Sequence, residues 1–235
     1  MTNQADQKIA HLQTIITAIR KIQHLIISGK DPETILEKTC EILVDTRGYY
    51  FAWITLFDEK RNTKFFTGAG AISVINNIRN QATSKGFPDQ LWQTLSNTPE
   101  TVHSGLPGEF LIDLDTTEWT PFLAEIKDDQ QTLGILCVAM PATDSKHQVE
   151  EAGLDDLAQG LAFALTKFKQ HNELKANELR YKNLVDSLND GVLIIQDEIT
   201  KFVNQSLCRL TGYTEKEILE NPFITLVAPE ERELV

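Results

Sequence analysis

The sequence predicts an α+β chain: an antiparallel sheet with helices on both faces, a long linker helix, and a smaller α/β segment. Three observations carry this. Residues 49–58, YYFAWITLFD, alternate Phe51, Trp53, Thr55 and Phe57 with Ala52, Ile54 and Leu56. One face of that strand is aromatic and the other aliphatic, so it is expected to be covered on both sides. Residues 132–140, TLGILCVAM, are apolar and interrupted only by Gly134, the pattern of a central strand paired with the first. Heptad spacing near both ends of this first part places long helices there.

At 235 residues the chain is long enough for two domains with cores of their own. Its net charge of −12 argues against a nucleic-acid partner, which needs clustered Lys and Arg. Cys40, Cys137 and Cys208 are far apart and sit in apolar-periodic segments. That spacing favours reduced, buried thiols in a cytoplasmic protein over disulfides or metal ligation. The first residues are polar and no apolar run reaches membrane-spanning length.

Residues 5–28 read as one helix with Leu12, Ile15, Ile19, Ile22 and Ile26 in a heptad seam. A dimer seam and a helix lying on its own domain fit this pattern equally. Asp31-Pro32-Glu33 opens a second helix, with Asp as N-cap and Pro at the first helical position, and Gly48 follows its end. Residues 59–62 turn the first strand into a hairpin with residues 63–69. Residues 71–97 are expected to be mostly helical, with a second helix after Gly86 carrying Leu91, Trp92 and Leu95. A short strand is expected at 100–103, a loop at 105–108, a short apolar run at 110–114, and a strand from Thr120. After a linker at 141–146, capped by Asp144 or Ser145, a long helix carries Leu154, Leu157, Leu161, Ala164 and Phe168 in a second heptad seam. Gly153 and Gly160, beside that seam, offer close approach to another helix. The helix then continues into a charged connector. Matching seams on both terminal helices point to a parallel homodimer through a helical bundle.

Across residues 31–168 this order resembles a GAF domain: the signature is RGYYFAWITLFDE, a hairpin, FPDQLWQTLSN, TPFLAEIKDDQQTLGILCVAMP and a long exit helix. The resemblance implies an antiparallel sheet with the terminal helices on one face and a ligand pocket on the other. From Leu179 onward, ELRYKNLVDSLNDGVLIIQDEITKFVNQSLCRLTGYTEKEILENPFITLVAPEER is similar to the start of a PAS domain. The residues alone place a hairpin at 192–204 and a helix capped by Asn204 and closed by Gly212. They also place Thr214 and Glu217 in a capping box. The PAS resemblance implies a truncated segment lacking the last three strands of its sheet, either a fragment of a longer chain or a partly ordered tail. The organisation read from the chain is a signalling and dimerisation helix (1–30), a GAF domain (31–168), a helical linker (169–188) and a partial PAS domain (189–235).

Candidate ligand-binding residues are Phe51, Trp53 and Thr55 on the aromatic face, with Trp92 and Phe122 as roof or wall; an ordinary aromatic core needs the same residue types. No pattern points to catalysis or names a cofactor. His171-Asn172-Glu173-Leu174-Lys175 departs from a histidine-kinase phosphoacceptor box by an inserted Asn. His11, His24, His103, His147 and His171 lack metal-ligand spacing. Gly68-x-Gly70 is no nucleotide loop, and Ser104-Gly105 has no G-x-S-x-G frame around it. Bilin-carrying GAF domains use a pocket-loop cysteine, and flavin-binding PAS domains a cysteine where Asn221-Pro222-Phe223 stands here. Free-methionine-sulfoxide reductases of GAF fold use nearby cysteines, whereas Cys40 and Cys137 are widely separated. The expected function is that of a non-catalytic sensory input module, of two-component sensor-kinase type, relaying a small ligand or a partner's state to an output domain in a longer chain. A ligand-free dimerisation scaffold and a GAF-fold redox enzyme are the alternatives.

Overall fold

The computed structural model describes residues 2–28, 31–97, 102–104, 114–128, 131–142, 147–197, 199–222, 224 and 230. Contacts divide the chain into two units, Met1–Phe168 and Lys169–Val235.

The first unit opens with α1 (Thr2–Ile27) and α2 (Pro32–Arg47). Asp31 caps α2 by accepting a bond from the Thr34 amide at 3.0 Å, with Pro32 next. Gly48 stops the helix at φ 71°, and its amide donates to the Val44 carbonyl. Both signals were legible in the sequence. The strands are β1 (Phe51–Phe57), β2 (Thr63–Gly70), β3 (Val102–Ser104), β4 (Trp119–Lys127) and β5 (Thr132–Pro141). They form one antiparallel sheet in the order β2-β1-β5-β4-β3. Between β2 and β3 lie α3 (Ile72–Ser84) and α4 (Asp89–Asn97). The helix α5 runs from His147 to Ser187.

The β1 alternation sets the layering. Ala52 and Ile54 face a core built with Ile22 of α1, Leu36, Cys40 and Leu43 of α2, and Leu154, Leu157 and Leu161 of α5. Phe51, Trp53 and Phe57 face a second core with Val74, Ile75 and Ile78 of α3 and Leu91, Trp92 and Leu95 of α4. Gly134 marks the closest approach of β5 to β1: a Cβ there would sit 2.2 Å from the Thr55 carbonyl oxygen. Trp53 and Cys137 are cross-strand partners, as are Ala52 and Val138.

This layering accounts for several positions of the heptad seams. Ile22, Leu154, Leu157 and Leu161 are buried in the core of their own unit, while Ile26 and Phe168 pack against it and Ile19 is half-buried. These side chains fill the space between helix and sheet. The side chains of Leu12 and Ile15 lie outside the described residues. A Cβ built at Gly160 meets nothing within 4 Å among the described residues. The expected caps Asp144 and Ser145, and the loop at 105–108, also lie outside the described residues.

The second unit contains the end of α5, the hairpin β6 (Leu193–Gln196) and β7 (Ile199–Val203), α6 (Gln205–Thr211) and α7 (Glu215–Glu220). Asn204 and Gly212 cap α6, and Thr214 and Glu217 form both bonds of the capping box at α7. Asn204 is fully buried. Its Oδ1 accepts from the Val192 and Leu207 amides, and its Nδ2 donates to the Val185 and Asp190 carbonyls. One side chain thereby ties the end of α5 to the hairpin and to α6.

Candidate functional site

The aromatic face of the sheet holds four of the five sequence-predicted pocket residues. Phe51, Trp53 and Thr55 project from β1 by simple alternation, and α4 brings Trp92 over them. Trp53 stacks on Phe66 at 5.6 Å and on Phe87 at 5.9 Å between ring centroids. Phe57 meets Phe87 and Trp92 edge-on, at 5.5 and 4.8 Å. Arg61, in the β1–β2 turn, lies over the Trp92 ring at 4.8 Å, and Arg79 of α3 over Phe66 at 5.4 Å. The Thr55 hydroxyl donates to the Phe65 carbonyl at 3.1 Å, so its proton is committed within the hairpin.

Phe122 is the exception. It pairs with Val138 while Leu123 pairs with Cys137, so Leu123 joins the aromatic face and Phe122 the helix-facing core. Phe122 is therefore no wall of a pocket containing Trp53. The β4–β5 register decides this, since strand neighbours point to opposite faces.

Two features of the aromatic face escaped sequence reading. Trp53 is fully buried, and its Nε1 has no hydrogen-bond partner among the described residues. A buried donor without an acceptor is costly, and this one lies in the middle of the face. Glu125, on the Leu123 side of β4 by alternation, is buried; it accepts from the Thr132 hydroxyl and lies 3.3 Å from the Lys127 ammonium. Cys137 lies opposite Trp53, and burial pushes its thiol well above the usual range, which disfavours thiolate chemistry. Cys40 is buried on the other face and shifted upward for the same reason. Cys208 is only half-buried, less enclosed than its apolar neighbours led one to expect. The three cysteines are free thiols.

The opposite face carries a polar cluster at the end of the helix layer. Arg47, the last residue of α2, pairs with Glu150 in the first turn of α5. Their side chains are 3% and 7% exposed. The Tyr49 hydroxyl donates to Glu150 Oε2 at 2.6 Å, and Arg47 Nη1 donates to the Thr14 hydroxyl of α1 at 2.6 Å. Burial pushes the Tyr49 phenol above its ordinary pKa, against the pull of the Arg47 charge, so the phenol stays a donor. Among the described residues no group of His, Cys, Asp and Glu could hold a metal ion.

The sheet runs β2-β1-β5-β4-β3, with the terminal helices on one face and α3 and α4 on the other, and the chain is similar in fold to several solved structures. The nlh2 GAF domain of A. aeolicus in an inactive state is 12% identical, with a TM-score of 0.51 over 66% of this chain and 98% of that one. The GAF domain of a phosphoenolpyruvate-protein phosphotransferase (ptsP) from Coxiella burnetii is 14% identical, with a TM-score of 0.51 over 68% and 98%. The phycoerythrobilin-bound GAF domain from a cyanobacterial phytochrome gives the same four figures. The first unit has the GAF fold. The GAF unit is followed by a PAS-like segment, since residues 179–234 match the PAS domain family model. No curated protein matched the sequence. No helix among the described residues is long and apolar enough to cross a membrane.

Proposed function

We propose that this chain is the non-catalytic sensory input module of a cytoplasmic signal-transduction protein, of the two-component sensor-kinase type. A small ligand or a partner acts on the aromatic face of the GAF sheet. The terminal helices α1 and α5 carry the change to an output domain in a longer chain. GAF and PAS domains are sensor modules, which supports the reading at its coarsest level. The observation that carries it further is the division of labour across one sheet: β1 and β5 present the aromatic core on one side and grip α1, α2 and α5 on the other. Ala52 and Ile54, on either side of Trp53 in β1, belong to the core that also holds side chains of α1, α2 and α5. The unpartnered Trp53 Nε1 is the donor a ligand's acceptor would satisfy.

The relay acts in a homodimer, along a surface other than the buried heptads. Leu174 and Tyr181 lie seven residues apart on α5, with Leu184 three further on, and all three are exposed. A parallel pairing along that stripe would let a change in α5 bias an output domain by population shift. The described aromatic side chains close tightly on one another, which favours a second reading, a ligand-free dimerisation scaffold. A redox enzyme of GAF fold is disfavoured by two buried, separated thiols in the GAF unit.

Native mass spectrometry of the whole chain purified from cells reads both parts together. The proposal expects twice the 26.5-kDa chain mass, with additional mass from a retained small molecule, and loss of the dimer on Leu184→Glu. A bare dimer moves the conclusion to the scaffold, and a monomer contradicts the relay.

A further inference from the structure

The α5 side chains buried in the core of the GAF unit are Leu154, Leu157, Ala158, Leu161 and Ala162. Such surfaces are alike along their length, so packing alone fixes a helix's rotation and register loosely. The Arg47–Glu150–Tyr49–Thr14 cluster differs. It draws one side chain from each of α1, α2 and α5 and one from the residue leading into β1. The ion pairs Lys38–Glu41 and Lys216–Glu220 lie at the surface, where they fix little. Arg47 and Glu150 are enclosed, and separating them would pull two charged side chains apart out of water. Alongside lies a cavity of about 20 Å³ between Ala18, Ile22, Leu43, Gly153 and Leu157, room for one water molecule. Gly153, a single turn beyond Glu150, puts no side chain into that space.

We propose that this cluster is a register latch: closed, it holds the first turn of α5 in one setting against α1, α2 and β1. When it opens, the cavity beside Gly153 is the space into which α5 shifts. The partner the site selects is α5 itself, in one of two positions. Apolar packing holds the helix on the sheet in both, while the polar cluster decides between them. Tyr49 belongs to the latch as a positioning residue, since its hydroxyl donates to one Glu150 oxygen while the guanidinium holds the other. The latch deepens the relay reading and rests on it only for its use in signalling.

Spin labels report the register directly. They are placed at Gln159→Cys on α5 and Lys64→Cys on β2, both exposed, in a Cys208→Ser background; Cys40 and Cys137 are buried and stay unlabelled. The full chain is expected to give one narrow distance. Glu150→Gln and Tyr49→Phe should each add a second distance holding about a tenth or more of the molecules. The apolar pair Arg47→Met with Glu150→Leu should regain the wild-type unfolding midpoint while keeping the second distance, which separates register from stability. Tyr49→Phe removes one hydroxyl and little packing, so it remains readable if a charge variant fails to fold. A single narrow distance in every folded variant, or a broad one in the unmodified chain, overturns the latch. Dimer mass and ligand retention are read by another experiment, so the relay and the latch fail separately.

Discussion

The two faces of the GAF sheet use the same strands to opposite ends. The helix-facing side is aliphatic and carries, at its rim, a buried ion pair whose members lie 103 positions apart in sequence. The side under α3 and α4 is aromatic, built from ring contacts, and leaves the Trp53 indole N–H without a partner among the described residues. Rings and aliphatic side chains supply most of the burial energy on both sides. Polar groups add little net stability but restrict which arrangement is allowed. The contrast teaches that one face is specified by a buried polar cluster, while the other is held by ring contacts and carries an unmet hydrogen bond.

The largest expected effect comes from emptying either core. Trp53→Ala and Phe122→Ala should each lower stability by about 3–5 kcal/mol in denaturant unfolding. Because the two faces share β4 and β5, the double variant should miss the sum by about 0.5 kcal/mol or more; strict additivity would make them independent cores. Trp53→Phe sharpens the point, since it removes the orphaned donor together with some apolar area. Its stability should stay within about 1 kcal/mol of wild type.

The smallest effect lies at the surface. Hydrogen bonds from the Asn62 side chain and amide hold the Asp58 carboxyl in the β1–β2 turn below its ordinary pKa of 3.8. A depressed folded-state pKa means stability that is present above that value and lost as pH falls through the folded one. Asp58→Asn should therefore flatten the acid limb of a stability–pH curve below about pH 4 and leave neutral pH nearly untouched. An unchanged acid limb would remove that contribution.

What the sequence disclosed follows physical range. Local signals were readable: Asp31-Pro32 and Gly48 around α2, Asn204 and Gly212 around α6, the Thr214–Glu217 box, and the alternation in β1. Each is decided within a few residues by capping or strand geometry. Leu154, Leu157 and Leu161 showed that α5 has an apolar stripe, but periodicity carries no information on whether sheet or second helix covers it. Phe122 was placed on the wrong face because its side depends on a register set across the β4–β5 turn, with an irregularity between Ile126 and Lys127. A one-residue slip there exchanges the faces. The Arg47–Glu150 pair and the orphaned Trp53 donor could not be read from neighbours at all. Both exist only once distant segments have met.

Hydrogen–deuterium exchange of the whole chain, unmodified against Trp53→Phe, tests most directly whether the aromatic face speaks to the exit helices. The account predicts altered exchange over residues 32–47 and 147–162, on the far side of the sheet from the substitution. A change confined to residues 72–97, with the far helices exchanging as before, would contradict it.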